Sequence, residues 1–264
     1  WRYHRFNLSH RDIVDLLAGR SIALAQVLTT LALCACRQPD TPQESGQDAT
    51  ASLAVVAELS KGPGNIKVTP SGTIIVSLHQ FFNHDVRVAS INDTAQLVPC
   101  AAAANVNSVL GLQADAKGAV WLLDNAMRGG ATRRLVGWDD SKERLLADID
   151  LTEASTDKSF LNDLAVAADG TLYATDTGAN TLYRFEGSAP VVVASGEAFG
   201  DPNGVDTDAD GVVVVLWSGG VKRVDPMTGE ATEMPAPEGP QIDGVVLLAD
   251  GSYVASSWSL AAVV

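Results

Sequence analysis

LNDLAVAADGTLYAT, residues 161–175, joins two apolar runs through an Asp-Gly turn. Such a pattern predicts a β-hairpin, and Asp-Gly suits two-residue loops because both central positions need positive φ. Related turns occur at four other places, namely Pro70-Ser71-Gly72, Ala116-Lys117-Gly118, Ala209-Asp210-Gly211 and Ala249-Asp250-Gly251. We therefore predict five hairpins with two-residue loops, each made by a repeat of the same unit.

The spacing of these turns indicates the architecture. Their glycines lie 46, 52, 41 and 40 residues apart, close to the ~40–50 residues of a four-stranded propeller blade. The strands predicted in the third and fourth units are Leu164–Ala167, Thr171–Thr175, Thr181–Phe185, Val191–Ala194, Val205–Thr207, Val212–Trp217, Val221–Val224 and Ala231–Met234. We predict an all-β, six-bladed β-propeller over residues 58–264. Gly251 lies 13 residues from the end, so the propeller is expected to be incomplete, with about five blades and a C-terminal truncation.

Composition limits the class of protein. The chain has 264 residues, of which 46% are hydrophobic, and this is enough for a sizeable core. Its net charge of −14 would repel phosphate backbones, so we expect a small-molecule substrate or ligand and no nucleic acid. The strand aromatics Trp121, Tyr173, Tyr183, Trp217 and Tyr253 are predicted to pack in the core.

The first 36 residues have the pattern of an export signal. Four arginines precede the apolar run Ser21–Cys36, which is shorter than the ~20 residues of a membrane span. Its end, Leu33-Cys34-Ala35-Cys36, resembles a bacterial lipoprotein cleavage box with Cys36 as the lipidated residue. The alternatives are lipidation at Cys34 and a buried N-terminal helix. Residues 37–57 are predicted to be a polar linker.

This pattern also predicts the location of the protein. We expect a monomer exported to the bacterial periplasm or cell envelope, which meets the membrane only through the lipid at Cys36. Cys100 would then be the one cysteine of the propeller, and we predict a structural thiol there.

One position in the repeat carries polar residues. Counting eight residues back from each turn glycine gives Gly64, Leu110, Asn162, Asn203 and Asp243. Inner strands of a propeller surround a central channel, so these positions should converge near its axis. Three side-chain oxygens at one position favour a site for a hard cation. An alternative is that these residues only form turns at the strand entrance.

The chemistry of these residues ranks the metals. We expect Ca²⁺ first, then Mn²⁺, Mg²⁺ and lastly Zn²⁺, because no Cys/His cluster with zinc-ligand spacing occurs in the sequence. Asp163, Asn65 or water would complete the shell.

Asn162-Asp163, Asn203-Gly204 and Asp243-Gly244 resemble the motifs of the senescence-marker-protein/gluconolactonase family, and more distantly those of paraoxonase-type propellers. The resemblance implies six blades and a divalent cation held by Asn162, Asn203 and Asp243. Gly64, followed by Asn65, stands where that family has a first-blade Glu. Segments of the first half, namely Gly64–Val88, Val120–Gly129 and Ser159–Val166, resemble the yellow/major royal jelly protein family, which shares the architecture.

Two functions follow from these patterns. The first is metal-dependent hydrolysis of a sugar lactone or related ester, in which the metal, Asp243 or Asp163 activates a water. Asn65 and His79 are candidates for substrate contact, and His84 shares the loop of His79. The second function is binding of a small ligand without catalysis. The polar residues after other second strands, Asp124, Asp176 and Arg128, are predicted to cap or to form ion pairs.

Overall fold

The structure is a computed structural model that describes residues 57–58, 63–78, 86–103, 105–126, 132–239, 241–248, 250–260 and 262–263. The regular secondary structure of these residues is nearly all β. Single 3₁₀ turns at Ala101–Ala103 and Asp140–Lys142 are the exceptions. In the part of the chain that is described, no helix is both long and apolar enough to cross a membrane. The predicted signal, Cys36 and nearly all of the linker lie outside it and stay predictions.

The strands form five antiparallel sheets, which we call blades 1 to 5, and the first strand of each is its inner strand. Blade 1 consists of β1 (Ile66–Val68), β2 (Ile74–Ser77), β3 (Val88–Ile91) and β4 (Leu97–Pro99), and blade 2 consists of β5 (Val109–Ala114), β6 (Ala119–Asp124), β7 (Arg134–Asp139) and β8 (Arg144–Asp150). Blade 3 consists of β9 (Leu161–Val166), β10 (Leu172–Asp176), β11 (Thr181–Glu186) and β12 (Ala189–Ser195), and blade 4 consists of β13 (Pro202–Asp208), β14 (Gly211–Leu216), β15 (Val221–Val224) and β16 (Ala231–Met234). Blade 5 has three described strands, β17 (Ile242–Leu247), β18 (Tyr253–Ser257) and β19 (Ala262–Val263).

The blades follow one another around a common centre. Inner strands contact in chain order, from β1 to β5, β9, β13 and β17. The core consists of apolar layers between successive blades, such as the one that joins Leu112 and Val136 of blade 2 to Ile75 of blade 1. Because sheets in the interior are covered on both faces, strands such as β14 are apolar throughout rather than alternating. The predicted all-β propeller architecture is confirmed.

The predicted two-residue turns are wrong for four of the five hairpins. At each of these four, the loop has three residues and its glycine is the third, with φ between 83° and 93°; the glycines are Gly72, Gly118, Gly170 and Gly251. In blade 3, for example, Ala167 N–H donates to the Thr171 carbonyl and Gly170 N–H donates back to Ala167. A type I turn followed by a left-handed glycine makes this loop, so the Asp-Gly pair occupies its last two positions. Only blade 4 pairs Asp208 with Gly211 across a two-residue loop.

Cys100 follows β4 and is partly buried against the layer between blades 1 and 2. Burial, with a smaller effect from the Asp140 carboxylate, raises the pKa of its thiol from 9.0 to about 11. Only the thiolate attacks alkylating reagents. At pH 8 we therefore expect Cys100 to react about a hundredfold more slowly in the folded protein than in urea. Mass spectrometry of the peptide that contains Cys100 after timed iodoacetamide treatment measures this, and equal rates would contradict it.

Candidate functional site

The polar position of the repeat lies in a β-bulge of the inner strand. In blades 2 to 5 two consecutive inner-strand residues face a single residue of the second strand, and these pairs are Leu110-Gly111, Asn162-Asp163, Asn203-Gly204 and Asp243-Gly244. The sequence suggested that they precede the strand, but β9 begins at Leu161 and contains both members of its pair. A bulge kinks the strand and redirects side chains, so it is a suitable place for a site.

Side-chain hydroxyls tie some of these bulges to the next blade. Ser77 Oγ accepts from Asn65 N–H at 2.8 Å and donates to the Leu110 carbonyl at 2.8 Å. Thr175 Oγ1 likewise accepts from Asp163 N–H at 3.1 Å and donates to the Asn203 carbonyl at 2.5 Å. These contacts satisfy the peptide groups that a bulge leaves unpaired in the ladder. Blades 1 and 2, and blades 3 and 4, are joined in this way.

The intervening blade pairs are joined by close backbone approach at glycine. A Cβ on Gly111 would lie 2.5 Å from the Asn162 carbonyl oxygen, and a Cβ on Gly204 would lie 2.3 Å from the Asp243 carbonyl oxygen. No other residue fits at such distances. The bulge of blade 2 therefore contacts that of blade 3, and the bulge of blade 4 contacts that of blade 5.

Asn203 and Asp243 occupy adjacent bulges of blades 4 and 5, which approach each other at Gly204. Asn203 is 3% exposed, and its side-chain amide is near enough to the Asp243 carboxyl group to lower the pKa of that group. The indole Nε1–H of Trp258 donates to Asp243 Oδ2 at 3.1 Å. Burial raises the pKa of Asp243, and the bonds from Trp258 and Asn203 only partly oppose this. The ionised carboxylate is thus disfavoured by its surroundings, as at a site that a positive charge would relieve.

The side chain of Asn162 is linked through the hydroxyl group of Thr177 to the inner strand that contains Asn203. Its Nδ2 donates to Thr177 Oγ1 at 2.9 Å, and that hydroxyl donates to the Pro202 carbonyl at 2.7 Å. Because the amide nitrogen is directed to Thr177, the amide oxygen of Asn162 is left on the other side as an acceptor. The bulges of Asn203 and Asp243 meet at Gly204, and Asn162 is linked through Thr177 to Pro202, the residue before Asn203. Their role as cation ligands stays a prediction.

Asp163 holds three blades together. Its Oδ1 accepts from Asn65 Nδ2 at 3.4 Å, and its Oδ2 accepts from the backbone N–H of Val205 at 3.3 Å. Asn65 immediately precedes β1. The equivalent position of blade 2 is Gly111, which has no side chain. Both predicted residues are therefore engaged in contacts between blades, which is a structural role that the sequence did not indicate.

Trp217 and Trp258 form an aromatic pair beside Asp243. Their ring centroids are 6.3 Å apart in an edge-to-face arrangement, and Trp258 is 47% exposed. The Gln241 N–H donates to the Trp217 carbonyl, and the Gln241 carbonyl accepts from Trp258 N–H. The sequence predicted core packing for Trp217 and gave no role to Trp258. A tryptophan just after the second strand in both blades 4 and 5 was the available signal.

Other predicted residues have structural roles or lie outside the described chain. Asp124 and Asp176 are fully buried at the ends of β6 and β10, and each Oδ1 accepts backbone N–H groups, from Ser108 and Phe160 respectively. Arg134 pairs with Asp124 at 3.4 Å. Capping is therefore confirmed for both carboxylates, and ion pairing is confirmed for Asp124. The residues outside the described chain are His79, His84 and Arg128.

An acidic hollow lies at the other end of the hairpins, between blades 3 and 4. Asp169, Asp208 and Asp225 line it together with Tyr173. Each of the three carboxylates already accepts hydrogen bonds from its own turn or from a neighbouring strand; Asp208, for example, accepts from Arg223 at 2.6 Å. These groups hold the turns, and we assign no chemistry to them.

The chemistry of the predicted ligand residues fits a hard cation. The amide side chains of Asn162 and Asn203 and the carboxylate of Asp243 carry oxygen donors of the kind that Ca²⁺ prefers. The described hydrogen-bond donor to the Asp243 side chain, Trp258 Nε1, is uncharged. Among the described residues no three His, Cys, Asp or Glu side chains form a metal-binding group, so amide oxygens would have to be part of the ligand set.

Known structures share this architecture. A gluconolactonase from Xanthomonas campestris is 17% identical, covers 77% of this chain and 72% of its own, and has a TM-score of 0.58. A luciferin-regenerating enzyme is 16% identical, covers 77% of this chain and 73% of its own, and has a TM-score of 0.58. Virginiamycin B lyase from Staphylococcus aureus is 14% identical and has a TM-score of 0.56; the match covers 74% of this chain.

These similarities show the fold. All three proteins are β-propellers, and this chain spans 62% of the length of the lyase. No protein-family model matches the sequence, and no curated protein matches it either. The resemblance to the gluconolactonase family accords with the structural neighbours, whereas the resemblance to the yellow/major royal jelly family stays a prediction.

Proposed function

We propose that this protein hydrolyses a lactone or related ester with the help of a divalent cation, Ca²⁺ in the first place. The observation that carries the proposal is that Asn203 and Asp243 lie in two bulges that meet at Gly204, while Asn162 is linked through the Thr177 hydroxyl to Pro202, the residue before Asn203. The similarity in fold to a gluconolactonase supports it. When bound, the cation would polarise the substrate carbonyl and stabilise the negative charge that develops on its oxygen.

The residues of the chain would bind the cation, orient the substrate and keep the blades in position. Asn203 and Asn162 would orient the carbonyl or share in holding the cation, because their amides lie in adjacent inner strands. Asp243 would hold the cation and direct a water toward the carbonyl carbon. Asp163 is bonded to Asn65 and Val205, so its part is to keep blades 1, 3 and 4 in place around the site.

The reaction balances without another reagent. The water oxygen bonds to the carbonyl carbon, and the bond from that carbon to the ring oxygen breaks. A proton from the water passes by way of a carboxylate to the leaving oxygen, which becomes a hydroxyl group. The products are the free acid and alcohol, here joined in one hydroxy acid when the substrate is a lactone.

Chelation tests the proposal. We expect EDTA treatment followed by gel filtration to lower the turnover of glucono-1,5-lactone, followed in a pH-stat, by about a hundredfold or more. Added Ca²⁺ should restore it, and elemental analysis should find about one equivalent bound. Full turnover by protein shown to be free of metal would contradict the proposal. Binding of the lactone without any turnover would favour the second function, a binding propeller that uses the same channel.

A further inference from the structure

We propose that Trp258, supported by Trp217, is the wall of the site against which the ring of an uncharged substrate packs. The proposal rests on the proposed function in placing the reacting group beside Asp243. It adds the residue that recognises the rest of the molecule and the class of ring that it accepts.

The first observation is that Trp258 presents a large apolar surface next to polar groups. The side chain is 47% exposed, while its Nε1–H is bonded to Asp243 Oδ2 at 3.1 Å. Tryptophan is common at binding surfaces because one end is polar and the rest is apolar. The bond to Asp243 holds the indole beside the carboxylate where the proposed function places the substrate carbonyl.

The second observation is that ring packing and backbone hydrogen bonds connect the two tryptophans. Trp217 packs edge-to-face on Trp258 with centroids 6.3 Å apart. Between them Gln241 has a φ of 65°, in the left-handed region that non-glycine residues rarely adopt. Its N–H donates to the Trp217 carbonyl at 2.5 Å, and its carbonyl accepts from Trp258 N–H at 2.9 Å. Backbone strain of this kind persists where the surrounding contacts enforce it, and it is common at ligand sites.

The chemistry of the wall selects an uncharged ring. A flat apolar surface with hydrogen-bonding groups at one edge suits a compact ring that carries polar atoms on one side, such as a lactone. The cation of the proposed function would supply the positive charge beside Asp243, so the substrate itself does not need a cationic group there.

Binding of δ-valerolactam, a ring analogue that is not expected to be hydrolysed, tests the wall. We expect it to bind the wild-type protein with Ca²⁺ present, as measured by calorimetric titration, which does not depend on the tryptophan that the variants remove. Trp258→Ala should weaken binding tenfold or more, while Trp258→Phe, which keeps an aromatic ring, should retain affinity within about threefold. Trp121→Phe is the matched control, because Trp121 Nε1 also bonds a carboxylate, that of Asp115 at 3.4 Å, but in blade 2. This control should bind like the wild type.

Three outcomes would overturn the proposal. They are unchanged lactam affinity in Trp258→Ala, absence of lactam binding by the wild-type protein, and stronger binding of tetramethylammonium than of the lactam. Thermal unfolding of each variant checks that it is folded, and Trp258→Gln, which also removes the aromatic ring and should weaken binding tenfold or more, carries the test if the alanine variant is not. A protein without lactone turnover that still binds the lactam through Trp258 would refute the proposed function and leave the wall standing.

Discussion

Replacing Asp243 by asparagine is expected to reduce lactone turnover by about a thousandfold. The variant keeps the shape of the side chain but removes the negative charge that would hold the cation. Asp243 is the carboxylate at the polar position of the repeat, and the amides of Asn162 and Asn203 alone offer little attraction for a dication. Initial rates with glucono-1,5-lactone and calorimetric titration with Ca²⁺ measure both losses.

A carboxylate of the neighbouring blade 4, that of Asp208, serves as the control for this result. Asp208 lies at the end of β13, where it pairs with Arg223 at 2.6 Å on the side of the turns. Asp208→Asn removes one negative charge there and should leave turnover and Ca²⁺ affinity unchanged. Equal activity of Asp243→Asn and the wild type would refute the assignment of the site.

Replacing Gly204 by valine is expected to destabilise the protein by about 3 kcal/mol or more. A Cβ at this position would lie 2.3 Å from the Asp243 carbonyl oxygen and 2.8 Å from Gly244 Cα. These neighbours are backbone atoms of the next inner strand, so a side-chain rotation cannot relieve the clash. Blades 4 and 5 would have to separate, and the bulge that presents Asp243 would move with them.

A substitution at Gly187 serves as the control that distinguishes the steric clash at Gly204 from the strain of an unfavourable backbone conformation. Gly187 lies between β11 and β12 with a φ of 63°, and a Cβ there meets nothing within 4 Å. Gly187→Ala should therefore cost only the left-handed strain of about 1 kcal/mol. Urea unfolding followed by circular dichroism compares the two variants. A loss at Gly204 no larger than that at Gly187 would show that the blades do not meet at this bulge.

Much of the fold could be predicted because its signals are local. Alternation of apolar strands with glycine turns defined the strands of blades 3 and 4, and the described strand bounds agree to within a few residues. The loop type could not be predicted in the same way. An Asp-Gly pair suits both a two-residue loop and the end of a three-residue loop, and the pairing of Ala167 with Thr171 decides between them.

The candidate site was only partly predictable. The repeat spacing identified Asn162, Asn203 and Asp243, since equivalent positions of a repeat occupy equivalent places. That Asp163 reaches Asn65 was not predictable, because the contact joins residues 98 positions apart and depends on how three blades pack. The same holds for Trp258, whose bond to Asp243 follows from the way that the chain leaves β18.

The sequence by itself determined an acidic, all-β chain of repeated hairpins with an oxygen-bearing residue at one position of three repeats. The tertiary structure decided that this position is a bulge inside the inner strand, that hydroxyl groups and glycines alternately join the bulges, and that two tryptophans stand beside Asp243. The physical reason is that turns and strands depend on neighbouring residues, whereas contacts between blades depend on how closely separate sheets can approach.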